Sequence, residues 1–219
     1  MDQVRLVLVA VVIIGACGKG ETGSGQRAYD LILKDGWIVD GSGNPRYRGD
    51  VAIRGDRIVA VGFLNGAAAR ETLDVRGLVV APGFIDMMGQ SETYALIDNR
   101  VFSKITQGIT TEVTGEGSSV APLTDRLAMD DSDAMKKWHY REDWRDLDGY
   151  FGQLAKQGTT LNIATFVGAT QVRLAVVGKD DRQPTETELA HMVAIVDTLM
   201  QQGALGLWTA LEYLSLIHI

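Results

Sequence analysis

Five polar residues stand where short apolar runs end. Gln90, Ser91 and Glu92 follow Gly83–Asp86, Glu116 follows Thr110–Thr114, and Glu212 closes the run that begins at Ala204. Carboxylates at strand ends, brought to one mouth, can hold a hard cation through oxygen or serve as general acid and base. The competing reading is that they cap helices or face water. On the first reading Glu116 and Glu212 are the catalytic candidates, and Gln90, Ser91 and Glu92 line the substrate or metal environment. Asp86 lies inside its strand motif and reads as structural. Gly115-Glu116-Gly117-Ser118-Ser119 could cradle an anion with backbone amides. However, no Lys or Thr completes a phosphate loop there, and no third glycine completes a dinucleotide fingerprint.

The soft metal ligands are scarce. Cys17 is the only cysteine, so the chain can form neither an intramolecular disulfide nor a thiolate zinc site. Of the 3 histidines, His191 lies off the apolar stripe of its helix, His139 sits among Trp138, Tyr140 and Arg141, and His218 is in the last residues. The run Lys136 to Arg145 reads as a solvated amphipathic segment, with a lid over a barrel mouth as the alternative. A net charge of -7 argues against a nucleic-acid partner held through phosphates.

The elements that must position these residues fall into two rhythms. From Tyr29 to Val80, short apolar runs (Leu31–Leu33, Trp37–Val39, Val51–Ile53, Ile58–Val61) are broken by Gly and Asp. Gly55-Asp56 is a two-residue hairpin turn, so this part reads as an antiparallel sheet. After Pro82, strands alternate with helices. Ile97, Val101 and Ile105 recur at helical spacing, and Trp144, Leu147, Phe151 and Leu154 form a helical face that stops at Gly158. Thr185 and Glu188 have capping-box spacing, ahead of a stripe from Leu189 to Met200 that ends at Gly203. Such alternation predicts βα units on a parallel sheet, about four of them, or half a barrel.

At the N-terminus, Arg5 precedes an apolar run from Leu6 to Ile14, then Gly15, Ala16 and Cys17. That order predicts a secretory signal peptide over 1–17, and the run is about half of the roughly 20 residues a membrane span needs. Ile14-Gly15-Ala16-Cys17 resembles a bacterial lipobox, which would make Cys17 the lipidated residue and the protein a periplasmic or membrane-anchored lipoprotein. Residues 18–28 read as a flexible tether. Residues 214–219 resemble translated sequencing adapter, and His218 receives no role.

Three segments in order resemble the N-acyl-D-amino-acid deacylase (D-aminoacylase) branch of the amidohydrolase superfamily. They are Tyr29–Gly41 with the hairpin Asp50–Gly62, then Val80-Ala81-Pro82-Gly83-Phe84-Ile85-Asp86, then Thr106–Thr111 with Gly203–Leu207. The resemblance implies an α/β fold. It comprises a partial (β/α)8 TIM barrel over 82–213, preceded by a small antiparallel β-sandwich domain over 29–81. It also implies metal-assisted hydrolysis of carbon–nitrogen amide bonds, with a divalent metal (zinc) as cofactor and N-acylated amino acids as small-molecule substrates. The chain departs from that pattern where the family's His-x-His metal pair would stand, since those places hold Met88 and Gln90; the family's bridging cysteine falls at Gly117. By the same resemblance, the remaining βα units and ligands lie beyond this chain. A non-catalytic binding scaffold and a cyclic-amide hydrolase are the competing expectations.

Overall fold

The computed structural model describes residues 29–130 and 132–209. The expectations for the signal peptide, Cys17, the tether up to Ala28, Glu212 and the adapter-like tail therefore lie outside the described residues. Two compact units divide the chain, the first running to Phe84 and the second beginning at Ile85.

The first unit is built on β1 (Tyr29–Ile38), β2 (Tyr47–Arg54), β3 (Arg57–Gly62), β4 (Ala69–Asp74) and β5 (Val79–Val80). The β2–β3 hairpin turns at Gly55-Asp56, as its sequence predicts, with Gly55 at φ 59°. Two expectations are corrected. Leu31–Leu33 and Trp37–Val39 belong largely to one strand, bulged between Leu33 and Gly36, where Asp35 takes φ 63° and its N–H donates to Asp50. The sheet is mixed rather than antiparallel, because β4 and β5 both pair with β1 in parallel. Strand β4 escaped notice because Arg70, Glu71, Thr72 and Asp74 hide its alternation; five of its six positions are exposed. Asp50, 4% exposed, is a structural acid: its two oxygens accept from Asp35 N and Leu64 N. Leu33, Ile38, Val51, Ile53 and Val75 form the core.

In the second unit, β6 (Phe84–Asp86), β7 (Ile109–Thr114) and β8 (Asn162–Thr165) lie side by side, and β7 and β8 are parallel. Strand β9 (Val167–Gly168) continues β8 after Phe166 and pairs in parallel with β10 (Leu207–Trp208). The connections are helical: α1 (Tyr94–Ile97) and α2 (Phe102–Ile105), then α3 (Asp125–Asp130), α4 (Ser132–Trp138) and α5 (Leu147–Gln157), then α6 (Ala169–Val176) and α7 (Glu186–Gln201). This is the predicted alternation, a mixed α/β structure. The single helix predicted through Ile97, Val101 and Ile105 is two short ones. Asp98 accepts the Arg100 N–H in a local turn, and Val101 takes the left-handed φ of 41°. Helix α5 starts at Leu147, capped by Asp146, so Trp144 precedes it yet is still core, with Nε1 donating to the Val120 carbonyl at 2.7 Å. Buried Tyr140 and Trp144 therefore correct the reading of Lys136–Arg145 as a solvated face. The α7 capping box is present as predicted, but of its stripe only Leu199 is fully buried; Leu189 and Val193 are 52% and 62% exposed.

The core between sheet and helices gathers Leu96, Trp144, Leu147, Tyr150, Leu161 and Val172 among others. Gly115 and Gly117 let neighbouring backbone approach closely. A Cβ on Gly115 would lie 2.3 Å from the Phe166 carbonyl, and one on Gly168 would lie 2.5 Å from that of Gly117. Among the described residues, no helix is long and apolar enough to cross a membrane.

Candidate functional site

Of the predicted residues, Glu92 reaches a polar cavity of about 160 Å³. That cavity is lined by residues that follow three successive strands: Glu92 beyond β6, Ser118 and Ser119 beyond β7, and Gln171 beyond β9. Its polar groups hold one another. Ser118 Oγ donates to Gln171 Oε1 at 2.9 Å, Gln171 Nε2 donates to the Pro122 carbonyl at 3.0 Å, and Gly168 N donates to Ser119 Oγ at 3.0 Å. Glu142 and the buried Trp144 close the wall.

The other predicted residues are not brought there. Gln90 is exposed and lines a separate cavity beside Tyr94, Phe102 and Lys104. Ser91 is 6% exposed, and its N–H donates to Glu112 Oε1 at 3.1 Å. Glu116 is half-buried; Gly115, at φ 93°, turns the chain just before it, and no hydrogen bond or ion pair joins it to Gln90, Ser91 or Glu92. Glu212 is outside the described residues. Asp86 pairs with Lys104 Nζ at 2.7 Å and accepts the Met88 N–H.

Behind Glu92 lies a charge cluster the sequence reading passed over. Glu112, in the middle of β7, is fully buried. Lys104 of α2 and the backbone of Gly89 and Ser91 surround it. Lys104 Nζ lies 3.2 Å from its Oε1, while Oε2 has no hydrogen-bond partner. Tyr150, also fully buried, donates its hydroxyl to the Glu92 carbonyl at 2.9 Å. Burial drives the Glu92 carboxyl up to about 7, and the Glu112 carboxylate adds to the rise, against the pull of its own backbone N–H and Lys104. Burial, then Glu92 and Glu112, push the Tyr150 phenol up as well. The ammonium of Lys104 is raised, by its bond to Asp86 first, so it stays charged at neutral pH. A carboxyl near 7 can donate or accept a proton at neutral pH, which suits a general acid or base. The signal available in the sequence was Glu112 itself, a charged residue inside the β-branched run Thr110–Thr114, which burial obliges to find a cation.

The donor set does not fit the zinc centre that the resemblance implies. Met88 offers a thioether and is 57% exposed, and Gln90 offers a neutral amide facing another cavity. Among the described residues, no three His, Cys, Asp or Glu side chains are grouped to hold a metal ion. His139 and His191 are exposed, the surface position expected of His191.

No family model matches the chain. Comparison with known proteins is nevertheless decisive about kinship. The chain is 38% identical to the D-aminoacylase of Alcaligenes xylosoxydans xylosoxydans over 191 residues, covering 87% of the chain and 39% of that enzyme. It is 37% identical to the N-acyl-D-glutamate deacylase of the same organism, over 86% of the chain and 38% of the relative. Among solved structures, the N-acyl-D-glutamate deacylase from Bordetella bronchiseptica, complexed with zinc and a phosphonate inhibitor, matches with TM-score 0.73 and 34% identity. That match covers 84% of this chain and 38% of that one. A D-aminoacylase with a binuclear metal centre matches with TM-score 0.76 and 35% identity, over 87% of this chain and 40% of that one. The chain thus spans about two fifths of the length of these relatives. Over that shared stretch it is a homologue of D-aminoacylase and N-acyl-D-glutamate deacylase, within the amidohydrolase superfamily.

Proposed function

We propose that the chain is the N-terminal part of a hydrolase acting on non-peptide carbon–nitrogen amide bonds, with N-acyl-D-amino acids as its substrate class. The observation that carries this reading is identity of 37–38% to two deacylases across 86–87% of the chain. On this reading β6, β7, β8–β9 and β10 are the first staves of a (β/α)8 barrel, and the mixed sheet is part of a β-sandwich. The loops after the staves form the mouth, which is where such barrels carry out their chemistry. Glu92 is the group of this chain that handles a proton there, and the Ser118–Gln171 pair orients polar atoms of the substrate. The test is release of free amino acid by the full-length protein from N-acetyl-D-amino acids and their L counterparts. Turnover of the D series supports the reading; a folded protein that turns over neither rejects it.

A second reading, a barrel retained as a binding scaffold without catalysis, is favoured by Met88 and Gln90 in the places of the family's histidines. The same assay separates the two, since a scaffold binds the substrate without consuming it. The N-terminal run Leu6–Ile14 and the lipobox-like Ile14–Cys17 support an exported, lipid-anchored protein. Mass analysis of the mature protein tests this: a chain beginning at acylated Cys17 is expected, and one retaining Met1 in the cytosol would refute it.

A further inference from the structure

We propose that Glu112 is a positioning residue that fastens the segment Met87–Glu92 to β7 through a buried charge cluster. This inference rests on the deacylase reading only for the segment's place at the barrel mouth. The segment leaves β6 as a turn rather than a strand, so it lacks a continuous ladder to hold it. Three contacts replace the ladder. Gly89 N donates to the Val113 carbonyl at 2.8 Å, Ser91 N donates to Glu112 Oε1 at 3.1 Å, and Asp86 is tied to Lys104 at 2.7 Å. The last two meet, because Lys104 also reaches Glu112 Oε1 at 3.2 Å. One buried oxygen therefore gathers the backbone of residue 91 and, through a single ammonium, the end of β6.

The packing is specific to this pair of residues. A Cβ at Gly89 would lie 1.8 Å from Glu112 Cγ, so the backbone of residue 89 rests directly on the glutamate side chain. Residue 89 must lack a side chain for Glu112 to occupy its place, and the two form one fitted unit. The consequence falls on Glu92. Its backbone is held next to Ser91, its carbonyl accepts from Tyr150, and its carboxyl is thereby delivered to the polar cavity. Neither Glu112 nor Lys104 touches that cavity, so each acts through Glu92.

The test is amide hydrogen exchange on the full-length protein, which is independent of turnover. In the unaltered protein the peptide spanning 87–92 should be protected, and a zinc chelator should leave that protection unchanged. Glu112→Val should raise exchange in this peptide about tenfold or more, the loss expected for a bond to a charged acceptor, while α7 peptides keep their protection. Glu112→Gln, which keeps an oxygen acceptor for the Ser91 N–H, should restore most of it. Lys104→Met leaves Glu112 in place and serves as an independent perturbation; it should loosen the same peptide. Release of 87–92 by the chelator alone would overturn the proposal, as would uniform loss of protection across the protein or no change in either variant. Normal local protection in a protein without deacylase turnover would instead reject the proposed function and leave the role of Glu112 standing.

Discussion

Replacing Glu92 by glutamine should stabilise the protein at alkaline pH and leave it unchanged in acid. Folding raises the Glu92 carboxyl from its ordinary 4.5 to about 7, by burial first and then by Glu112. Between those values the folded state keeps a proton that the unfolded chain has released. The unfolded state therefore binds fewer protons, and stability falls as pH rises through this window. At ~1.4 kcal/mol per pH unit, the interval amounts to about 3 kcal/mol. The full benefit of the neutral acid is present below 4.5 and is lost above about 7. Glutamine stays neutral throughout, so Glu92→Gln should match the parent near pH 4 and exceed it by up to about 3 kcal/mol at pH 8. Urea unfolding of both proteins across this range measures the difference. Effects of other groups, such as Asp86 and Lys104, cancel in that difference where the substitution leaves them undisturbed. A difference that does not change with pH, or a variant less stable than the parent at pH 8, would refute the reasoning.

Other substitutions probe the parts that hold the site. Trp144→Phe removes the indole donor to the buried Val120 carbonyl and should cost about 1–3 kcal/mol in chemical denaturation. Gly115→Ala puts a methyl group 2.3 Å from the Phe166 carbonyl and forces φ 93° on an alanine; it should destabilise by more than ~2 kcal/mol, read as a lowered melting temperature. Thr185→Ala breaks the capping box of α7 and should cost about 1 kcal/mol in the same measurement, with substrate kinetics unchanged.

The parts of the fold written in local chemistry were legible. The Gly55-Asp56 turn, the Thr185–Glu188 box and the glycine that ends α5 all act within a few residues, and each is where the sequence puts it. What escaped depends on distant partners. Strand β4 is largely polar and exposed, and it pairs in parallel with β1. The break at Val101 follows from Asp98 capturing a nearby N–H, a competition that apolar periodicity does not register. Glu92, which follows a strand, lines the polar cavity. Glu116 follows a strand too, yet a left-handed glycine turns the chain just before it. Glu112 could be recognised only by asking which cation would neutralise it, and Lys104 lies in a helix whose ends the sequence blurred.

The most direct test of the account is a structure of the full-length protein with a phosphonate mimic of the tetrahedral intermediate bound. The account predicts that the phosphonate lies beyond the ends of β6, β7 and β9, with the Glu92 carboxyl in the wall around it and Glu112 still bonded to the Ser91 N–H. A phosphonate bound elsewhere, or Glu92 turned away from it, would contradict the account.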